Sequence, residues 1–109
     1  MAAEYLKTAR FESINRDSLF NLCLEIGDQF GFKILKKNFE EGKITLGTPM
    51  SWWSWGEKIS IEFSKISSTP IVEVELRSEC KLTYQVIDWG KNKRNVISIL
   101  NALKNKLTN

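Results

Sequence analysis

Lys91, Lys93 and Arg94 crowd the stretch Asp88-Trp89-Gly90-Lys91-Asn92-Lys93-Arg94-Asn95, just where a helical pattern begins. Cations at a helix N-terminus oppose the helix dipole, at a cost of about 0.3–1 kcal/mol each when exposed. A local rule broken in this way can mark an anion site, with backbone N–H groups beside Gly90 binding the anion and Lys91 adding charge. The plainer alternative is a solvated basic turn, with Asp88 capping the helix and offsetting the lysines. A lone Gly-Lys pair outside a phosphate-loop frame favours that alternative.

The second group is aromatic. Met50-Ser51-Trp52-Trp53-Ser54-Trp55-Gly56-Glu57 holds three of the four tryptophans, and Trp89 is the other. Strand parity carried back from Ile59 turns Trp53 and Trp55 inward and Trp52 outward. Trp55, nearest the strand, reads as core. Met50, Trp52 and Trp53 form a loop tip that either folds back over the open end of the core or meets a partner or bilayer interface. The loop has no lysine or arginine before Lys58, which weakens the bilayer version.

The remaining chemistry is sparse. Glu57, Glu62 and Asp88 could meet in space, and Glu57 or Asp88 would then be an acid or base. Glu40 and Glu41 are adjacent acids at a turn, where solvation is the ordinary state. The chain has no histidine, which excludes Ser-His-Asp and Cys-His mechanisms and histidine metal sites. It also lacks a GxGxxG, a phosphate loop and a paired-carboxylate motif. Cys23 and Cys80 form no CxxC and make a poor disulfide framework. Cys23 falls in an apolar helical stripe, and Cys80 falls just past a strand. The expectation is a protein without enzymatic activity, metal or cofactor.

The elements that must position these residues follow from periodicity. Glu4 to Glu12 reads as a strand, placed at an edge by Lys7. Leu19, Leu22, Cys23, Ile26 and Phe30 make one helical face, with Asn15 or Asp17 as cap and Gly31 as stop. Residues 32–39 switch parity, which means a bulge or two covered faces. Ile44 and Leu46, then Ile59, Ile61 and Phe63, then Val72, Val74 and Leu76 mark three further inward rows. Val96, Leu100, Leu103 and Leu107, widened by Ile97 and Ile99, are the seam of a last helix from about Asn92 to Leu107. The order is β-α-β-β-β-β-α. This is an α+β fold: an antiparallel sheet of four or five strands with two helices packed on its one apolar face.

The length of 109 residues and a 42% hydrophobic, 27% charged composition describe one folded domain spanning 1–109. A net charge of +3 is too weak alone to argue for nucleic acid. No apolar leader opens the chain and no run approaches the roughly 20 apolar residues of a membrane span. A cytoplasmic protein is expected. After Asp88 there is no acid, and Lys104 and Lys106 suit the last helix's C-terminus. That basic helix could touch a membrane surface or acidic partner, or simply aid solubility.

Two WG dipeptides, in Ser54-Trp55-Gly56-Glu57 and Asp88-Trp89-Gly90-Lys91-Asn92, each precede a new element. This pattern, with clean strands between, resembles a family of small bacterial domains of uncharacterised function. The resemblance implies no activity and no catalytic residues. The element order is also similar to TATA-box-binding-protein-like and helix-grip folds, which host unrelated functions.

Together these features point to a non-enzymatic binding or assembly module. It would use Trp52, Trp53, Met50 and Trp89, or the basic cluster Lys91, Lys93 and Arg94, toward another protein or a second copy of itself. The alternative is a carrier of a small apolar ligand or lipid held between sheet and helices. Phe20, Phe30, Phe32, Phe63 and Trp89 are available to fill such a gap, which argues for a closed core.

Overall fold

A computed structural model of the chain describes residues 3–12, 14–49, 56–80 and 90–108. Its elements are β1 (Glu4–Phe11), α1 (Arg16–Gln29), β2 (Lys33–Asn38), β3 (Lys43–Gly47), β4 (Glu57–Lys65), β5 (Val72–Cys80) and α2 (Lys91–Thr108). This is the order expected from periodicity, and the sheet has five strands. They pair antiparallel throughout, in the spatial order β1-β5-β4-β3-β2. The last four strands form a meander, and β1 returns to pair with β5. The edges are therefore β1, as its lysine suggested, and β2.

Register explains the alternation. Ile61 lies opposite Ile44 on one side and Leu76 on the other, which stacks the inward rows of three strands. Ile59, Ile61, Phe63, Val72, Val74 and Leu76 are all buried. The outward row is wet and carries the ion pairs Lys58–Glu79, Lys43–Glu62 and Arg10–Glu73 at 3.2, 3.9 and 3.1 Å. Exposed pairs of this kind each contribute at most about 1 kcal/mol. Both helices lie on the apolar face: α1 over β2, β3 and β4, and α2 over β1, β5 and β4. Leu19, Phe20, Cys23 and Ile26 of α1 meet Val96, Ile99, Leu100 and Leu103 of α2 in one cluster with the sheet. Phe20 packs edge-on to Phe39 at 5.1 Å and tilted against Phe63 at 5.6 Å. Phe20 and Phe63, both buried, each add about 1.5–3 kcal/mol, and half-exposed Phe39 adds less.

Three local details refine the sequence reading. Asn15, not Asp17, caps α1: its side-chain oxygen accepts from Ser18 N–H at 2.7 Å. At the other end Phe32 N–H donates to Gly27 C=O at 2.9 Å and Gly31 N–H to Asp28 C=O at 3.0 Å, a Schellman pair. Phe30, expected on the buried stripe, is the C-cap and is 42% exposed. The stripe ends at Ile26 because Phe30 lies beside Phe32, at 5.7 Å, instead of reaching the core. In β2, Ile34 faces Leu46 but Lys36 faces Thr45, so Leu35 is a bulged extra residue. Of the two explanations for the parity switch, the bulge is correct. Two covered faces are ruled out, since Ile34 and Leu35 are 41% and 47% exposed.

Candidate functional site

The inward rows change character at one end of the sheet. Glu57 has the parity of Ile59, Ile61 and Phe63, and Ser78 and Cys80 have the parity of Val74 and Leu76. Register sets Glu57 opposite Cys80. Thr48 continues the Ile44–Leu46 row beyond β3. Above them lies the first turn of α2, whose Asn92 and Asn95 share a helical face with Val96, Ile99 and Leu103. Polar residues from three strand ends therefore meet two amides. All five of Thr48, Glu57, Ser78, Asn92 and Asn95 are buried, Ser78 and Asn92 completely.

They form one directed chain of hydrogen bonds. Asn92 Nδ2 donates to Ala3 C=O at 2.9 Å and lies 3.7 Å from Cys80 Sγ. Ser78 Oγ donates to Asn92 Oδ1 at 2.8 Å. Asn95 Nδ2 donates both to Ser78 Oγ, at 3.1 Å, and to Glu57 Oε1, at 3.0 Å. Thr48 Oγ1 donates to Glu57 Oε1 at 3.1 Å and accepts from Glu57 N–H at 2.7 Å. Thr48 N–H donates to Glu57 C=O at 3.0 Å, so a three-bond clasp joins the end of β3 to the start of β4. Among the described residues no buried side-chain N or O lacks a partner. A buried network satisfied this fully fixes geometry, since breaking one link strands a desolvated group.

The network holds the ends of two chain segments. Residues 50–55 begin and end beside the Thr48–Glu57 clasp. Residues 81–89 run from Cys80 to Gly90, next to Asn92. Gly56 and Gly90 have φ of 94° and 75°, a left-handed backbone that glycine adopts without strain. The glycine of each WG pair is thus a turn into a new element.

Met50, Trp52, Trp53 and Trp89 fall on these two segments and lie outside the described residues, as do Trp55 and Asp88. Lys93 and Arg94 are exposed and Lys91 is half-buried, at the start of the helix whose Asn92 and Asn95 point inward. Lys91, Lys93 and Arg94 thus stand at the end of the sheet where the described flanks of both segments lie. Glu57 and Glu62 do not meet: Glu57 is buried beneath α2, whereas Glu62 faces solvent and pairs with Lys43. Cys80 is the last residue of β5, not a residue beyond it, and is buried. Cys23 is buried in the apolar core, where desolvation pushes its thiol from 9.0 to about 12. A surface cleft of about 430 Å³, lined by Ile14, Asn15, Arg16, Asp17, Lys65, Pro70 and Val72, lies where β4 ends and contains none of the network residues.

No family model matches the chain, and no curated protein does. Among solved structures, that of Ara h 8.0201 matches with a TM-score of 0.53 and 10% identity, covering 100% of both chains. The fold is helix-grip-like. At that identity the likeness concerns the fold alone. In this helix-grip-like sheet the long C-terminal helix lies over β1, β5 and β4, and its first turn is fastened by the amide network. No helix among the described residues is long and apolar enough to cross a membrane.

Sequence reasoning missed the network. Its signal was present: Glu57 has the inward parity of Ile59 and Ile61, and Asn92 and Asn95 precede Val96 and Ile99 on the same helical stripe.

Proposed function

We propose that the chain is a non-enzymatic binding module whose recognition end is the polar end of the sheet. The observation that supports this is the buried clasp of Thr48, Glu57, Ser78, Asn92 and Asn95. It fixes the flanks of both segments that carry Met50, Trp52, Trp53 and Trp89. A rigid frame at the flanks of aromatic-rich segments suits recognition of another protein, because ordering the frame beforehand lowers the entropy lost on binding. Lys91, Lys93 and Arg94 would then steer an acidic partner toward the aromatic contact.

Quenching of tryptophan fluorescence by acrylamide tests this on the monomer. Comparison of the parent with Trp52→Phe and Trp53→Phe assigns the quenched signal. At least one of these two should be quenched nearly as fast as free tryptophan. Full protection of every tryptophan would sink the aromatic contact.

A second reading, a carrier of a small apolar ligand, draws on the helix-grip-like fold. Against it, the space between sheet and helices is occupied by Phe20, Leu19, Ile59, Ile61, Ile99 and Leu103, all at most 2% exposed. A raised melting temperature with any fatty acid in a lipid panel would revive it.

A further inference from the structure

The edge of the sheet far from β1 carries chemistry that the recognition end does not use. Among the described residues β2 pairs only with β3, and none of them pairs with its other side. Ile34 and Leu35 project from it, and Phe30 and Phe39 flank it at 42% and 45% exposure. Lys33, Lys36 and Lys37 are interleaved with these residues and are exposed. None of the three makes an ion pair among the described residues, whereas Lys43, Lys58 and Lys106 each face a carboxylate. Register puts Lys36 beside Thr45 on the outer face and Lys37 beside Ile44 on the helix side. The cations therefore project to both sides of a rim instead of converging on a groove. Glu40 and Glu41 mark where the basic stretch stops, and Glu41 is held by Asn38 at 3.0 Å.

We propose that this rim docks on an anionic lipid bilayer, met edge-on. Ile34 and Leu35 enter the headgroup boundary, and Lys33, Lys36 and Lys37 sit against the lipid anions. The occupant follows from charge complementarity and from what the edge resists. A second copy or an added peptide strand must use β2 as a pairing template. The bulge at Leu35 breaks that template, and pairing with a second copy would set lysine against lysine. A planar anionic surface needs neither register nor backbone hydrogen bonds.

Co-sedimentation of the full chain with phosphatidylcholine vesicles, with and without phosphatidylserine, tests the proposal. Binding is expected only with phosphatidylserine and should weaken as salt is added. The combined variant Lys33→Gln, Lys36→Gln, Lys37→Gln should bind on the order of 100-fold more weakly, from about fivefold per lysine. Ile34→Ser with Leu35→Ser should weaken binding yet keep its salt dependence. These positions are exposed, and an unchanged melting temperature confirms that the variants fold. Three results overturn the idea. One is no sedimentation with anionic vesicles. Another is parent-like binding by the lysine variant together with loss in Trp52→Ser, Trp53→Ser, which moves the contact to the recognition end. The third is binding to polyglutamate without binding to vesicles, which points to an acidic peptide.

Discussion

Replacing Asn95 probes the network at its branch point. Its side-chain amide serves Glu57 Oε1 at 3.0 Å and Ser78 Oγ at 3.1 Å, all in a buried setting. A hydrogen bond to a carboxylate contributes about 1.5–3 kcal/mol and one between neutral groups about 0.5–1.5. Asn95→Ala should therefore cost about 2–4 kcal/mol. In urea denaturation this appears as a lower midpoint with an unchanged slope. Asn95→Asp keeps the shape but turns a donor into an acceptor facing Glu57 Oε1, so it should cost more than Asn95→Ala. Combining Asn95→Asp with Glu57→Gln exchanges amide and carboxylate across the same contact. The exchanged pair should recover at least about 1 kcal/mol over the sum of the single changes, the size of a coupling between touching residues. A loss below about 0.5 kcal/mol for Asn95→Ala, or strict additivity of the exchange, would refute the claim that this contact clamps α2 to the sheet.

Other outcomes follow from the same structure. Because the folded thiol of Cys23 titrates near 12 and the unfolded one near 9.0, its contribution is intact below about pH 9. It is lost as pH rises toward 12, by up to about 1.4 kcal/mol per pH unit. Cys23→Ala should flatten that part of the alkaline stability curve, measured by urea titrations at a series of pH values. At Gly42 an added Cβ would lie 2.5 Å from Arg16 Nη1 and 2.9 Å from Phe63 C=O. Gly42→Ala should therefore lower stability by about 1–3 kcal/mol, seen as a fall in melting temperature. Asn15→Ala removes the α1 cap and should cost about 1 kcal/mol, with a matching loss of helical circular dichroism on mild heating.

The fold was legible because its residues obey two clean periods. Ile59-Ser60-Ile61-Glu62-Phe63 could only be a strand with one wet face, and Val96, Leu100 and Leu103 could only be a helical seam. Ends were harder to read. Phe30 has the spacing of a core residue, but spacing does not report that the helix stops there and the ring lies beside Phe32. The network was hidden for a related reason: an asparagine on an apolar stripe looks like an interruption until a serine and a carboxylate are found opposite it. Ser78 and Asn92 are fourteen positions apart, and Glu57 and Asn95 thirty-eight, beyond any local pattern. The basic cluster was read as a unit, yet the structure divides that stretch. Lys93 and Arg94 face water, while the asparagines before and after them, Asn92 and Asn95, face inward.

The pairing of β1 with β5 has a consequence for biosynthesis. β1 leaves the ribosome before the other strands of this sheet, but the strand it joins is the last of them to be made, with Phe11 waiting for Val72. The bond from Asn92 back to Ala3 closes over 89 positions. The β2–β5 meander can form from neighbouring hairpins as it emerges, whereas β1 must stay unpaired until β5 and α2 follow. Closing so long a loop is slow relative to local hairpins. Folding should thus finish in one late step, when β1 and the start of α2 meet at the same corner of the sheet.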